Sequence, residues 1–291
     1  MNKIDKIALG TVQFGLKYGV SNHNGKVDPK QIREILVHAI DEGIDLIDTA
    51  IGYGDSELQL GRIGVSKWRV TTKLPNLSKE ISDVVDWVHK ETLASLERLR
   101  ISKLYGLLLH RPINLIEQRG DLLYQSLLQV KKAGLVDKIG VSIYDFKELK
   151  SIIDRYEIDL IQAPFNLIDR RLIDFGVLDD LKARGVEVHV RSVFLQGLLL
   201  MPSNARPFYF SKWQSLWDRW ESWLNENQVS PTEACLRYAL SIEGIDRVVV
   251  GVDNLGHLKD IMSSVGLAPP EKHEHLRCND MGLINPTLWK L

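Results

Sequence analysis

Eight short apolar runs alternate along the chain with amphipathic segments of helical period, and this alternation limits the possible fold most strongly. The runs are rich in Val, Ile and Leu, as strands buried on both faces of a parallel sheet are. They comprise residues 7–15, 45–50, 69–75, 104–112, 137–144, 159–166, 186–194 and 247–252. Eight strand-then-helix units predict an α/β fold, a closed (β/α)8 TIM barrel. An open doubly wound sheet is less favoured, because no GxGxxG fingerprint follows the first run.

The segments between the runs carry start and stop signals of helices. Asp28 is placed as an N-cap, with Pro29 as the first helical residue. Glycines stand where helices should end, at Gly43, Gly134 and Gly185. No low-complexity linker divides the chain, so we predict a single domain over residues 1–291. Two additions to the barrel are expected, an insertion at about 201–229 and a C-terminal tail from about residue 266.

Charge and cysteine content argue against several classes of protein. The formal net charge is −1 and no block of like charges occurs, so neither nucleic acid nor an anionic membrane is an expected partner. The two cysteines, Cys235 and Cys278, have no CxxC spacing, which favours a reducing compartment. The first residues do not resemble a signal peptide, and no apolar run approaches the roughly 18 residues that span a bilayer. We therefore expect a cytoplasmic protein.

Polar side chains close three consecutive runs. Asp48 closes the second run and Tyr53 follows it, Lys73 closes the third, and His110 closes the fourth. In barrels of this class the active site lies at the carboxyl ends of the strands, because the strand-to-helix loops open on that face. An acid, a phenol, an amine and an imidazole are therefore expected on one rim. Each alone has an ordinary structural explanation, but the combination indicates catalysis.

The stretch DTAIGYGDSELQLG, with the lysine of TTKLP and the histidine of LLLHRP, resembles the aldo-keto reductase family over about residues 5–265. The resemblance implies reversible hydride transfer between a nicotinamide cofactor and a carbonyl, with no metal. It implies that Tyr53 donates the proton and that His110 hydrogen-bonds the substrate oxygen. Lys73, held by Asp48, is expected to lower the phenol pKa from its ordinary value of about 10.

The same resemblance places the cofactor across the rim of the barrel. It implies that Ser142 and Gln162 hold the carboxamide, and that the loop after the seventh strand holds the pyrophosphate. The full set of cofactor contacts implied by the resemblance is Thr11, Asp48, Ser142, Gln162, Arg191, Ser192, Phe194, Gly197, Gly251, Asn254 and His257.

Two positions depart from the family pattern. Ile143 stands where the family often has Asn, which removes one expected amide contact. Arg191 stands where many members have a tyrosine that stacks on the nicotinamide ring. A guanidinium can stack on a flat ring, but it repels an oxidised nicotinamide. The sequence therefore leaves Arg191 three roles: contact with an anionic substrate, contact with a cofactor phosphate, or a salt bridge at the rim.

The expected cofactor is NADPH on family grounds, with NADH as the open alternative. Members selective for NADPH usually carry Lys and Arg around the start of the last helix. Gly251, Asn254 and His257 occupy that stretch here, and Asp253 would repel a 2′-phosphate. The helix N-terminus itself still favours phosphate.

Four tryptophans recur at helical spacing within the insertion: Trp213, Trp217, Trp220 and Trp223. They indicate either a packed face or a wall of the substrate pocket, and with the tail GLINPTLWKL they are expected to influence substrate choice. His273, His275 and Cys278 resemble the spacing of a metal site only loosely, so no metal site is predicted.

The predicted function is an NAD(P)H-dependent oxidoreductase that interconverts a carbonyl and an alcohol. The substrate is a small aldehyde or ketone, with a keto sugar or its derivative suggested by short barrel loops and Arg191. Two alternatives stay open: an aldolase that forms a Schiff base on Lys73, and a regulatory protein that senses nicotinamide redox state on this scaffold. The sequence indicates no oligomeric state.

Overall fold

The computed structural model describes residues 3–291. At their centre eight parallel strands form a closed sheet. The strands are β1 (Ile7–Gly10), β2 (Leu46–Asp48), β3 (Arg69–Leu74), β4 (Leu104–Leu109), β5 (Val136–Ser142), β6 (Leu160–Pro164), β7 (Glu187–Arg191) and β8 (Arg247–Gly251). Each strand pairs with the next one along the chain, and β8 pairs with β1 to close the barrel. The predicted (β/α)8 TIM barrel is confirmed.

Every strand stops one or more residues before the end of the apolar run that predicted it. The residues that follow are still buried, as Phe14, Phe165 and Val193 show, but they lie in loops or helical turns at the mouth of the barrel. Apolar periodicity reports burial and not strand pairing, so it extends each predicted strand into the loop that follows.

The helices are α1 (Val12–Gly15), α2 (Pro29–Asp41), α3 (Ser56–Ile63), α4 (Val84–Leu99), α5 (Gly120–Lys132), α6 (Phe146–Ile153), α7 (Arg171–Asp174), α8 (Val177–Ala183), α9 (Gln214–Asn227), α10 (Pro231–Ser241), α11 (Leu255–Ser264) and α12 (Met281–Ile284). Short 3-10 helices occupy Lys3–Lys6, Pro112–Leu115, Leu195–Leu200, Ser203–Ala205, Phe208–Trp213, Glu274–Leu276 and Pro286–Leu288.

The helix boundaries read from the sequence are confirmed where the structure tests them. The Asp28 carboxylate accepts a hydrogen bond from the amide of Lys30 at 2.8 Å, which caps α2. The predicted stop glycines follow α2, α5 and α8 with φ values of +93°, +77° and +73°: Gly43, Gly134 and Gly185. Glycine adopts this left-handed conformation without the steric penalty of a side chain.

The insertion packs against the C-terminal tail. Trp217, Trp220 and Trp223 on α9 are each 1% exposed. The indole N–H of Trp223 donates to the carbonyl of Glu271 at 2.8 Å, and that of Trp213 donates to the Asp280 carboxylate at 3.0 Å. These contacts show that the tryptophans pack the insertion against the tail. The indole N–H groups of Trp213 and Trp223 also find hydrogen-bond acceptors in the tail.

The described part of the chain, residues 3–291, contains no helix long and apolar enough to cross a membrane. Within the same residues no group of three or more His, Cys, Asp or Glu side chains is placed to hold a metal ion, and His273, His275 and Cys278 form no such group. Cys235 is buried and Cys278 is half-buried, both as free thiols.

A partly buried ionic cluster lies towards the amino ends of the strands, away from the predicted site. The Glu187 carboxylate accepts hydrogen bonds from the Tyr105 hydroxyl and from the imidazole of His189, each at 2.6 Å, and from the ammonium of Lys138. Burial alone would raise the pKa of Glu187, but these three donors hold it well below its usual range. The cluster ties β4, β5 and β7 together.

Candidate active site

The carboxyl ends of β2, β3 and β4 bring three of the predicted catalytic side chains to one rim. Asp48 is the last residue of β2 and pairs with Thr71 of β3. Lys73 lies two residues beyond Thr71, so the alternation of side chains along a strand turns it to the same face. His110 directly follows β4, and its amide donates to the carbonyl of Leu74 at 3.1 Å.

Lys73 and Asp48 form a buried ion pair. The Lys73 ammonium donates to both carboxylate oxygens of Asp48, at 2.9 and 2.7 Å, and to the carbonyl of Thr49 at 2.9 Å. The Lys73 side chain is fully buried and that of Asp48 is 5% exposed. Burial lowers the pKa of Lys73, although Asp48 opposes this effect. With three acceptors around it, the ammonium is held in one position.

Tyr53 lies in the turn between β2 and α3, between Lys73 and His110. The Lys73 ammonium lies 5.1 Å from the centre of the phenol ring. The rings of Tyr53 and His110 are 5.8 Å apart, edge to face at 79°. The structure therefore brings together all four residues predicted to be catalytic.

The pKa of Tyr53 is shifted in the direction opposite to the one expected from the sequence. Burial raises the pKa of the phenol, the nearby Asp48 carboxylate raises it further, and the Arg191 guanidinium lowers it in part. The ammonium of Lys73 is largely balanced by Asp48, which explains why proximity alone does not favour the phenolate. The phenol consequently keeps its proton and is able to donate it.

His110 is a neutral hydrogen-bonding group. Burial lowers its pKa to about 4, with further lowering by the positive charges of Lys73 and Arg191. A neutral imidazole carries one N–H donor, which is what binding a carbonyl oxygen requires.

The turn that holds Tyr53 is fixed by contacts that the sequence analysis did not assign. A Cβ atom on Gly15 would lie 1.8 Å from the Tyr53 carbonyl, so this position requires glycine. Glu57, just after the turn, accepts hydrogen bonds from Thr72, Ser95 and Arg98, each at 2.7 Å. The sequence signal for these contacts was the Ser-Glu pair at the end of the DTAIGYGDSE stretch. In the structure Glu57 is 2% exposed, and a carboxylate so deeply buried requires hydrogen-bond partners.

A chain of hydrogen bonds extends the site across the barrel mouth. The Gln162 amide donates to Asp48 at 2.7 Å and accepts from the Ser142 hydroxyl at 3.3 Å. The guanidinium of Arg191 in turn donates to the Ser142 hydroxyl at 3.4 Å. Residues of β2, β3, β5, β6 and β7 therefore share one polar network that begins at Lys73.

A cavity of about 340 Å³ opens beside this network. Its lining contains Tyr53 and most of the predicted cofactor contacts: Thr11, Asp48, Arg191, Ser192, Phe194, Gly197, Gly251 and His257. Ser142, Gln162 and Asn254 are not part of the lining; Asn254 caps α11 by accepting from the amide of His257 at 2.9 Å. The lining, all within residues 3–291, includes no tryptophan of the insertion.

The loop after α1 bridges two other loops at this cavity, which the sequence did not predict. The Gln196 side chain donates to the Tyr18 hydroxyl at 3.0 Å, and the amide of Val20 donates to the Gln196 carbonyl at 3.0 Å. The Asn22 amide donates to Asp253 at 3.2 Å. The segment 18–22 therefore connects the loop after β7 with the loop after β8. No local sequence signal indicates these contacts.

Among the described residues, Arg191 has neutral hydrogen-bond partners and no carboxylate partner. Its guanidinium donates to the carbonyl of Ile143 at 2.8 Å and to the Ser192 hydroxyl at 3.2 Å, in addition to Ser142. It stacks on the ring of Tyr144, 3.9 Å from the ring centre. Within residues 3–291 none of these contacts is a salt bridge. The rim salt bridge that the sequence left open as a role for Arg191 is therefore not found among them.

The far end of the cavity is acidic. Asp253, His257 and Asp260 line it together, and Arg191 is the one Lys or Arg in the lining drawn from residues 3–291. Burial raises the pKa of Asp253, and His257 partly opposes this effect.

Solved structures share this fold. A holo-form aldo-keto reductase from Bacillus halodurans superimposes with a TM-score of 0.75 at 20% identity, over 93% of this chain and 90% of that one. A glycerol dehydrogenase from Gluconobacter oxydans superimposes with a TM-score of 0.70 at 22% identity, over 93% and 89%. At these identities the likeness concerns the fold alone.

Two relatives are similar in sequence. A 2,5-diketo-D-gluconic acid reductase B from Corynebacterium sp. is 30% identical over 125 residues, which is 41% of this chain and 43% of that protein. An NADH-specific methylglyoxal reductase from Escherichia coli is 27% identical over 220 residues, 67% of this chain and 65% of that protein. The matched region thus spans less than two thirds of either relative.

The family comparison covers far more of the molecule. The model of the aldo/keto reductase family matches residues 6–280, which include the whole barrel and every residue of the site described above. The chain belongs to the aldo/keto reductase family.

Proposed function

We propose that this chain is a nicotinamide-dependent oxidoreductase that interconverts a carbonyl and an alcohol, with Tyr53 as general acid and base. The observation that carries the proposal is the placement of a protonated phenol between a neutral imidazole and a buried ammonium–carboxylate pair, at the edge of one cavity. Bound nicotinamide would supply the hydride. The protein's own residues bind, orient and protonate the substrate.

In the reductive direction, the Tyr53 hydroxyl donates its proton to the carbonyl oxygen as negative charge develops there. The neutral His110 imidazole donates a hydrogen bond to the same oxygen and orients it. The phenolate that forms is stabilised by the Arg191 guanidinium, and by that part of the Lys73 charge which Asp48 does not balance. Asp48 fixes Lys73 in place, and in the oxidative direction the phenolate takes the proton back.

The cavity suits a dinucleotide. Gly251 and Gln13 both line the cavity and lie close together, since a Cβ atom at position 251 would be 2.6 Å from the Gln13 amide nitrogen. Ser192, Phe194 and Gly197 lie on one side, and α11 starts on the other, capped by Asn254. Free backbone N–H groups at a helix start favour phosphate.

The far end of the cavity favours NADH over the NADPH expected from the family. A 2′-phosphate at this end would face the carboxylates of Asp253 and Asp260, with the His257 imidazole beside them in the cavity lining. An imidazole is a weaker clamp for a phosphate than the side chain of a lysine or an arginine. The name of one relative, an NADH-specific methylglyoxal reductase, is consistent with this choice.

The remaining parts of the proposal concern the setting. The substrate is a small carbonyl compound, and action in the cytoplasm agrees with the two free thiols. Residues 1–291 act as one domain, in which the insertion and tail pack on each other beside the barrel.

The proposal is tested by screening the purified protein for NADH and NADPH oxidation with aldehydes, ketones, keto acids and keto sugars. Turnover that prefers NADH supports both parts of the proposal, and turnover that prefers NADPH rejects the cofactor choice alone. Nucleotide binding without turnover of any carbonyl favours the redox-sensing alternative. Substrate trapped on Lys73 by borohydride favours the aldolase, although both oxygens of Asp48 hold that ammonium.

A further inference from the structure

The guanidinium of Arg191 is a fixed cation in the wall of the proposed active site. Three hydrogen bonds, to Ser142, Ile143 and Ser192, and the stacking on Tyr144 hold it in one orientation. All three acceptors are neutral oxygens. A guanidinium carries more N–H donors than these three bonds use, so it retains capacity for another acceptor.

The charge around the site is unbalanced. Lys73 and Asp48 neutralise each other at 2.7 Å. Arg191 lines the cavity with Tyr53, and Arg111 follows His110 directly and adds positive charge to its surroundings. Within residues 3–291 Arg191 forms no ion pair with a carboxylate, whereas Arg111, which is exposed, also acts on the nearby Glu148 carboxylate. The end of the cavity at Tyr53 is therefore positive, whereas the far end, at Asp253 and Asp260, is acidic.

We propose that Arg191 binds a carboxylate of the substrate, so that the enzyme acts on carbonyl compounds that carry a carboxylate close to the reacting carbonyl, such as 2-keto acids. The inference rests on the proposed function and names its substrate class. A planar guanidinium with one ring-stacked face presents its edge to an acceptor, and a carboxylate fits that edge with two parallel N–H···O bonds. Arg191 and Tyr53 line the same cavity, so a carboxylate bound by the arginine keeps a short substrate beside the phenol.

The test compares matched substrates that differ in charge: pyruvate with methyl pyruvate, and benzoylformate with its methyl ester. The two members of a pair differ in intrinsic reactivity, so the informative quantity is the acid-to-ester ratio of kcat/KM in each protein variant. We expect Arg191→Met to lower this ratio by about 100-fold and Arg191→Lys by about 10-fold, because the lysine keeps the charge but loses the bidentate geometry. Arg33→Met, at an exposed position on α2, is the matched control and leaves the ratio unchanged.

The dissociation constant of NADH, measured by fluorescence for every variant, separates the possible roles of Arg191. An acid-to-ester ratio that stays within about threefold of wild type in Arg191→Met, with weaker NADH binding, assigns the arginine to the cofactor and overturns the inference. Turnover of the esters and other neutral carbonyls without turnover of the acids overturns it while the proposed function stands. Absence of turnover with every carbonyl, despite nucleotide binding, overturns both.

Discussion

Removing either charge of the Lys73–Asp48 pair is expected to lower the free energy of unfolding strongly. Removing both charges in a double variant is expected to lower it by less than the sum of the two single effects. Lys73 is fully buried and meets both oxygens of Asp48. Lys73→Met leaves a buried carboxylate whose remaining side-chain donor is the Gln162 amide, at 2.7 Å. Removing one partner of a buried ion pair costs about 3–5 kcal/mol. Since Gln162 stays in place, we expect about 3 kcal/mol for this variant.

Asp48→Asn is expected to cost about as much or less. The ammonium of Lys73 then keeps the Thr49 carbonyl, at 2.9 Å, as an acceptor. Burial already lowers the pKa of Lys73, so the amine can lose its proton when Asp48 no longer opposes this shift. The double variant removes both charges, and we expect it to cost about 2 kcal/mol, which gives a coupling energy of several kcal/mol across the pair.

Urea denaturation of the four proteins, followed by circular dichroism, measures these free energies of unfolding. Lys131→Met is the control, because Lys131 and Asp159 form an equally short pair at 2.6 Å with side chains that are 35% and 32% exposed. A pair so accessible to water is expected to contribute less than about 1 kcal/mol. The reasoning is refuted if Lys73→Met costs no more than Lys131→Met, or if the two single effects add. The double variant regains stability but no activity, since Lys73 is absent.

Three further predictions concern other parts of the molecule. His110 is neutral above its pKa of about 4, so kcat/KM measured from pH 5 to 8 shows no inflection near 6.5, where an unperturbed histidine titrates. Glu187→Gln lowers the free energy of unfolding by about 2 kcal/mol at neutral pH. Because the folded-state pKa of Glu187 is depressed, this difference is present above the unfolded-state value of about 4.3 and is lost as the pH falls below it, which urea titrations at several pH values check. His257→Arg places a fixed cation beside Asp253 and raises the affinity for NADPH relative to NADH by about 10-fold in fluorescence titrations; an unchanged ratio would show that charge at this end does not set cofactor preference.

The barrel was predictable because strand burial and helix amphipathicity are local properties of the sequence. The positions of Asp48, Lys73 and His110 at strand ends followed from the same reasoning, since parallel strands bring their carboxyl ends to one rim. Strand ends were overestimated at residues such as Phe14, which is buried outside the sheet. Apolar character cannot separate these two situations.

The electrostatics of the site required the structure. From the sequence alone, Lys73 is expected to lower the pKa of Tyr53, whereas in the structure burial and Asp48 raise it. That balance depends on distances and water access, which residue identities do not contain. The neutral partners of Arg191 and the bridge from Tyr18 to Gln196 are likewise contacts between segments far apart in sequence, with no local signal.

The most direct test of the account is the kinetic comparison of Tyr53→Phe with wild type, using the best carbonyl substrate and its preferred nicotinamide cofactor. The phenol hydroxyl is proposed to donate the proton, whereas its removal leaves the lining of the cofactor cavity intact. We predict that kcat falls at least about 100-fold while the dissociation constant of the cofactor changes by less than about threefold. A kcat that stays within about threefold of wild type would contradict the assignment of Tyr53 as the proton donor.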